Sequence, residues 1–317
     1  MVQGFSEEKY DTLADFIEEL NQKGIEISFS AGKLKYSGPD ENITPELIER
    51  LRRHKGNLIK SYWPKELGNL MPINPQGSKI PLFIIHGDNG NYIISDHLGP
   101  DQPVYGFFHP GSEGERIHYK SVKKMAREYL DKIISVNPDG PYYLLGYSFG
   151  GNLAFEIAVQ LQKLGQKVPF LALLDTESPG SGKKVEKGKN LFMIIRKNIL
   201  GAVRRGLDHF IRLSGCRFYF LMNIPLPAEK RTFYMWIKYS SLVEKYRPEK
   251  FNGDMLYFRA TQPASPTQSV GWSAYVDNIK VIDMYCKHLE IFSGRNRTEV
   301  IQKEVENYLT AVSNSNY

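Results

Sequence analysis

Six short apolar runs, spaced by stretches of helical or turn character, constrain this chain more than any other feature. They read PLFIIH from Pro81, VYGFFH from Val104, YYLLGY from Tyr142, VPFLALLD from Val168, DMLYFRA from Asp254 and KVIDMY from Lys280. Strands alternating with helices predict a mainly parallel sheet covered on both sides by helices, an α/β fold. One crossover helix is read from Val122, Met125, Ala126, Tyr129, Leu130, Ile133 and Ile134, stopping before NPDGP; another runs from about Asn152 through Leu153, Ile157 and Leu161 to Gly165. The interval from about Glu177 to Arg247 breaks the alternation. It is too long for a single connection and is expected to be a largely helical insertion over the C-terminal edge of the sheet.

The first sixty residues follow a different pattern. Leu13, Phe16, Ile17 and Leu20 fall on one helix face, which Gly24 ends. Ile25, Ile27 and Phe29 then alternate with polar residues, Ala31 and Gly32 turn the chain, and Leu34 and Tyr36 return, which is a hairpin. A second helix opens on Thr44 as cap and Pro45 as first helical residue, with Ile43 placed to staple against Ile48 and an apolar stripe of Leu47, Leu51, Leu58 and Tyr62. Residues 64–79, PKELGNLMPINPQGSK, hold three prolines and two glycines and are expected to be a linker. The expected organisation is a small α+β unit at 1–63, the linker, and the α/β domain at 80–317 with its insertion at about 177–247.

At 317 residues, 41% hydrophobic, the chain can bury a sizeable core. Neither a secretory leader pattern nor a run of about 18 apolar residues occurs, so a cytoplasmic protein without a membrane span is expected. Cys216 and Cys286 form no CxxC or Cys/His cluster, so no metal site or disulfide framework is expected, only buried thiols. The net charge of +6 is uneven: residues 183–231 carry 12 Lys+Arg against 3 Asp+Glu, leaving the rest slightly acidic. Such a block is a solvated face or meets an acidic partner. No zinc finger, helix-turn-helix or RNA-binding aromatic motif accompanies it, so nucleic acid is not expected.

A Gly-x-Ser-x-Gly match is too short to argue from alone, but YYLLGYSFGGNLAFEIA places it directly after an apolar strand and directly before an amphipathic helix. There a sharp turn needs Gly146 and Gly150, because a side chain would clash with neighbouring backbone. Ser148 then stands exposed as a nucleophile, and the backbone N–H of Phe149 faces the position where a carbonyl oxygen becomes negative. A serine needs a base. Asp175 closes VPFLALLD and His288 lies just after KVIDMY, giving the order Ser, Asp, His, each at a strand end. His288 is expected to take the Ser148 proton and return one to the leaving group, while Asp175 orients the imidazole. His86, His109 and His118 have no comparable setting. His86 does open the loop HGDNGN, where the backbone N–H of Asp88 is the expected second oxyanion donor.

These residues carry a resemblance. Residues 80 to about 310, through VYGF, DGPYYLLGYSFGG, LLD, YRPEKFNGDMLYFRA and the late histidine, resemble the thioesterase domains that end nonribosomal peptide and polyketide assembly lines. One departure is CKH, where that family more often has Gly-Asp-His. Residues 9–62, with ITPEL and RRHKGNLI, are similar to tubulysin-type β-hairpin docking domains. The resemblance implies an α/β-hydrolase fold with a helical lid and a preceding docking domain. It implies a subunit that docks to the C-terminus of an upstream synthetase, takes an acyl or peptidyl chain from the phosphopantetheine of a carrier protein, forms an acyl-Ser148 ester and releases product by hydrolysis or cyclisation. No cofactor of its own is implied.

Two contacts are expected on charge. Lys183, Lys184, Lys187, Lys189, Arg204 and Arg205 of the lid would meet an acidic carrier. Lys33, Lys35, Arg50, Arg52 and Arg53 of the first unit would favour an acidic peptide adding a strand to the hairpin. An editing thioesterase, a free esterase or lipase using the same three residues, and a docking adaptor with an inactive hydrolase fold are the alternatives. Rates on thioester against oxygen ester, and active-site labelling, separate them.

Overall fold

The computed structural model describes residues 13–30, 33–61, 68–87, 90–178, 213–262 and 271–314. The chain divides into two compact units, Met1–Gly68 and Asn69–Tyr317.

In the first unit, α1 (Leu13–Gln22) is followed by an antiparallel hairpin of β1 (Glu26–Ser30) and β2 (Lys33–Ser37), then by α2 (Pro45–Ser61). Phe16, Leu20, Ile25, Leu47, Leu51 and Leu58 form its core, with Ile27, Leu34 and Tyr36 packed against it. The Thr44 hydroxyl accepts a hydrogen bond from the Leu47 N–H at 3.2 Å, the capping its position in ITPEL anticipates. Two of the cations assigned to an incoming peptide have partners within the unit. Arg50 pairs with Glu19 at 2.8 Å and covers the Phe16 ring, and Arg52 pairs with Glu49 at 3.5 Å. Lys35 is exposed. The Ala31–Gly32 turn and Tyr62 lie outside the described residues.

The second unit is a seven-stranded sheet in the order β3-β5-β4-β6-β7-β8-β9. Its strands are β3 (Leu70–Asn74), β4 (Leu82–Ile85), β5 (Val104–Phe107), β6 (Tyr143–Tyr147), β7 (Phe170–Leu174), β8 (Phe251–Ala260) and β9 (Val276–Met284). All pair in parallel except β3, which runs antiparallel to β5 at the edge. All six expected strands are present. β4, β6 and β7 are buried at every position, as near-continuous apolar strands covered on both faces must be.

β3 corrects the linker expected at 64–79: residues 70–74 are a strand of the main sheet, with Leu70, Met71 and Ile73 buried. Its prolines concealed it. Pro72 stands opposite Tyr105 on an edge strand beside a break in register, a place where a residue without an N–H is tolerated.

The helices are α3 (Gly90–Leu98), α4 (Val122–Val136), α5 (Phe149–Lys163), α6 (described over 213–221), α7 (Ala228–Lys245) and α8 (Arg295–Asn314). In α4 the expected apolar face is buried except for the half-buried Ile134, and Ser121 caps the helix by accepting from the Lys124 N–H. Of the insertion, α6 and α7 are helical as expected. Lys183, Lys184, Lys187, Lys189, Arg204 and Arg205 lie outside the described residues. Cys216 and Cys286 are buried free thiols. Among the described residues no helix is long and apolar enough to cross a membrane, and no group of three or more His, Cys, Asp or Glu could hold a metal ion.

Candidate active site

The parallel strands all end on one edge, and the candidate residues stand just beyond those ends. Ser148 follows β6 and Asp175 follows β7, its immediate neighbour. His288 lies past β9, while His86 follows β4 on the other side. His86, Ser148 and Asp175 have φ of 57°, 53° and 41°, a region costly for residues with a side chain. Strained non-glycine residues at three strand ends mark the edge where the fold trades stability for placement.

The turn at Ser148 works as its glycines require. A Cβ on Gly146 would overlap the Gly150 carbonyl oxygen, and one on Gly150 would overlap that of Ile85. Helix α5 therefore sits tightly against β4 and β6, and Ser148, at its N-cap with no side-chain capping bond, is held up with its hydroxyl uncommitted to the helix. The Ser148 N–H is tied to the Leu174 carbonyl at 2.9 Å, which fixes the turn against β7.

Asp175 is anchored from the other flank. Its N–H donates to the Phe258 carbonyl at 2.7 Å, and Oδ1 accepts from the Ala260 N–H at 3.0 Å, so β8 orients the carboxyl group. Oδ2 lies 2.6 Å from His288 Nδ1, and His288 Nε2 lies 2.9 Å from Ser148 Oγ. A carboxylate oxygen only accepts, so Nδ1 carries the hydrogen and Nε2 is left as acceptor for the serine hydroxyl. The structure thus brings Ser148, His288 and Asp175 into one chain of hydrogen bonds. The sequence CKH does not disturb it, because Glu290 accepts from the Lys287 N–H and closes the short turn that presents His288.

Phe149 opens α5, so its N–H is among the first-turn donors that have no carbonyl within the helix. That fits the oxyanion role expected of it. Asp88, expected to supply the second donor, lies outside the described residues.

Sequence reasoning missed the aromatic packing around this edge. His86 is fully buried, with its ring 3.9 Å from that of His109 and stacked at 5.8 Å on Phe149. The Tyr129 hydroxyl receives a hydrogen bond from Asn69 Nδ2 and shares another with His86 Nε2, 2.9 Å away. Burial first, and His109 second, hold the His86 pKa well below its ordinary value, while burial pushes the Tyr129 phenol well above its own. Phe149 also stacks on Tyr239 of α7, which ties the insertion to the residue after Ser148. The signal for His86 was its place at the end of an apolar strand; nothing in the sequence pairs it with Tyr129.

A doubly covered parallel sheet carrying a serine, histidine and aspartate at its C-terminal edge is the architecture of an α/β-fold serine hydrolase. Residues 93–193 match the thioesterase domain family, and residues 13–62 match the TubC N-terminal docking domain. By these matches the second unit carries a thioesterase-family domain and the first a TubC-type docking domain. Malpibaldin synthetase of Mortierella alpina is 32% identical over 260 residues, covering 75% of this chain and 4% of the synthetase. A dimodular nonribosomal peptide synthase of Bacillus subtilis (strain 168) is 29% identical over 241 residues, covering 70% of this chain and 10% of the synthase. The chain therefore spans a small fraction of these relatives. Among solved structures, the four-domain nonribosomal peptide synthetase AB3403 superposes with a TM-score of 0.58 at 20% identity, over 80% of this chain and 21% of that one. The NocB thioesterase domain superposes with a TM-score of 0.55 at 17% identity, over 76% and 100%. Both share the fold.

Proposed function

We propose that this chain docks to an assembly-line synthetase and releases the acyl or peptidyl chain held there as a carrier-bound thioester, through an ester on Ser148. The observation that carries the reading is the hydrogen-bonded chain from Asp175 through His288 to Ser148, with 2.6 and 2.9 Å links. Ser148 Oγ attacks the thioester carbonyl carbon while His288 Nε2 takes its proton, and Asp175 stabilises the imidazolium that forms. The carbonyl oxygen becomes negative and is met by the N–H of Phe149, joined in this reading by that of Asp88. Collapse breaks the C–S bond, and His288 returns the proton to the departing phosphopantetheine sulfur. Water, or an amine or hydroxyl of the chain itself, then attacks the Ser148 ester with His288 again as base. The substrate arrives on the carrier's own arm, so the mechanism uses no resident cofactor. The docking domain supports an upstream synthetase as partner, and in this reading a peptide of that subunit's C-terminus adds a strand to the β1–β2 hairpin. A cytoplasmic setting is part of this reading.

A carrier loaded with acyl or peptidyl pantetheine tests the reading. Ser148→Ala should lower release by about 10⁴-fold to 10⁶-fold. Retention of more than about a tenth of wild-type release would exclude the acyl-serine route. The mass of the released product distinguishes hydrolysis from cyclisation.

A further inference from the structure

His288 stands in a short turn with its side chain 41% exposed, and its bond to Asp175 constrains only one ring nitrogen. The Asp175 bond by itself lets the imidazole swing about that link, which would break the 2.9 Å contact of Nε2 with Ser148 Oγ. A second constraint is present on the ring face. The Tyr147 ring lies 5.2 Å from the His288 ring, 21° from parallel, and its hydroxyl donates to the His288 carbonyl oxygen at 2.9 Å. Tyr147 is itself held: it is 8% exposed, ends β6, and meets the edge of Phe292 at 5.3 Å and 76°. It is also the residue immediately before Ser148, so nucleophile and base are registered to each other through adjacent residues of one strand end.

We propose that Tyr147 is the positioning residue for His288, its ring holding the imidazole plane in line with Ser148 and its hydroxyl fixing the backbone that carries it. The proposal rests on the Ser148–His288 reading above. When His288 takes the serine proton it becomes a cation lying over an electron-rich aromatic face, so the contact strengthens as the transition state is approached. The ring is therefore the feature that matters, and the hydroxyl contributes less.

The test compares the wild-type chain with Tyr147→Leu and Tyr147→Phe, by the rate of fluorophosphonate labelling of Ser148 and by kcat and KM on a small acyl thioester. Loss of the ring should slow labelling and kcat together by about tenfold to thirtyfold, with KM within about twofold, because the contact serves the proton transfer rather than substrate binding. The phenylalanine variant keeps the face and should stay within about threefold of wild type. Should leucine prevent folding, Tyr147→Met fills the space with a flexible thioether and is judged by the same criteria. The proposal is overturned if the ring-less variant labels and turns over within about twofold of wild type. It is equally overturned if the phenylalanine variant falls as far as the ring-less one. Labelling that fails in the wild type itself removes the underlying serine-histidine reading, and the proposal with it; labelling that succeeds there but ignores Tyr147 removes the proposal alone.

Discussion

The ring of Phe149 lies flat on that of Tyr239, with centroids 4.2 Å apart and planes 7° from parallel. The residue after the candidate nucleophile is thereby clamped by α7, and the Tyr239 hydroxyl donates to the Pro110 carbonyl at 2.7 Å, pinning the same helix to the sheet edge. Tyr239→Phe keeps the ring and removes the bond to Pro110, and should cost about 1 kcal/mol. Tyr239→Ala also removes the stack and opens a cavity, for about 3–5 kcal/mol. Thermal unfolding of the two variants should show this order, and equal losses would mean that the stack contributes nothing.

His86 predicts an acid-sensitive stability. Its folded pKa is depressed by burial and by His109, so below the ordinary histidine value the unfolded chain binds a proton that the folded chain does not. Stability is then full above about pH 6.5 and falls as pH drops, by up to about 1.4 kcal/mol per pH unit from this group. Denaturant titrations between pH 7.5 and 5 should show a shallower decline for His86→Gln. Identical slopes would contradict the assignment of a buried neutral imidazole.

Two glycine substitutions should act in opposite directions. Gly150→Ala drives a methyl into the Ile85 carbonyl and should leave little folded protein. Gly215, within α6, has nothing within 4 Å of where a Cβ would sit, so Gly215→Ala should stabilise by about 0.5–1 kcal/mol. Comparing soluble yield and melting temperature checks both.

Where the second unit begins can be read by truncation. A chain starting at Asn69 keeps β3 and the Asn69 side chain that donates to Tyr129 and to the Phe108 carbonyl. It should hydrolyse a small thioester normally. A chain starting at Ile80 loses the buried Leu70, Met71 and Ile73, on the order of 5 kcal/mol, and should melt at least about 10 °C lower. Equal melting of the two would show that β3 is dispensable.

These particulars show what a sequence of this kind discloses. The grouping of Ser148, Asp175 and His288 was legible because each stands at the end of an apolar run or a few residues beyond it, and local pattern plus chain order is enough to find strand ends. Thr44 was legible because capping is a contact three residues long. β3 was not: five residues with a proline in the middle carry no usable period, and only pairing with β5 makes them a strand. Tyr147 and His86 escaped for a different reason. Tyr147 meets a histidine 141 positions later, and His86 meets a tyrosine 43 positions later, contacts that only the closed sheet creates.

The central claim, that Ser148 carries the acyl chain between carrier and acceptor, is tested most directly by acid-quenching the chain during turnover of an acyl thioester and mapping the covalent adduct by mass spectrometry. The account predicts an acyl ester on the peptide spanning Ser148, absent when the same peptide carries Ser148→Ala. An adduct confined to any other residue, or one that persists in the alanine variant, would contradict it.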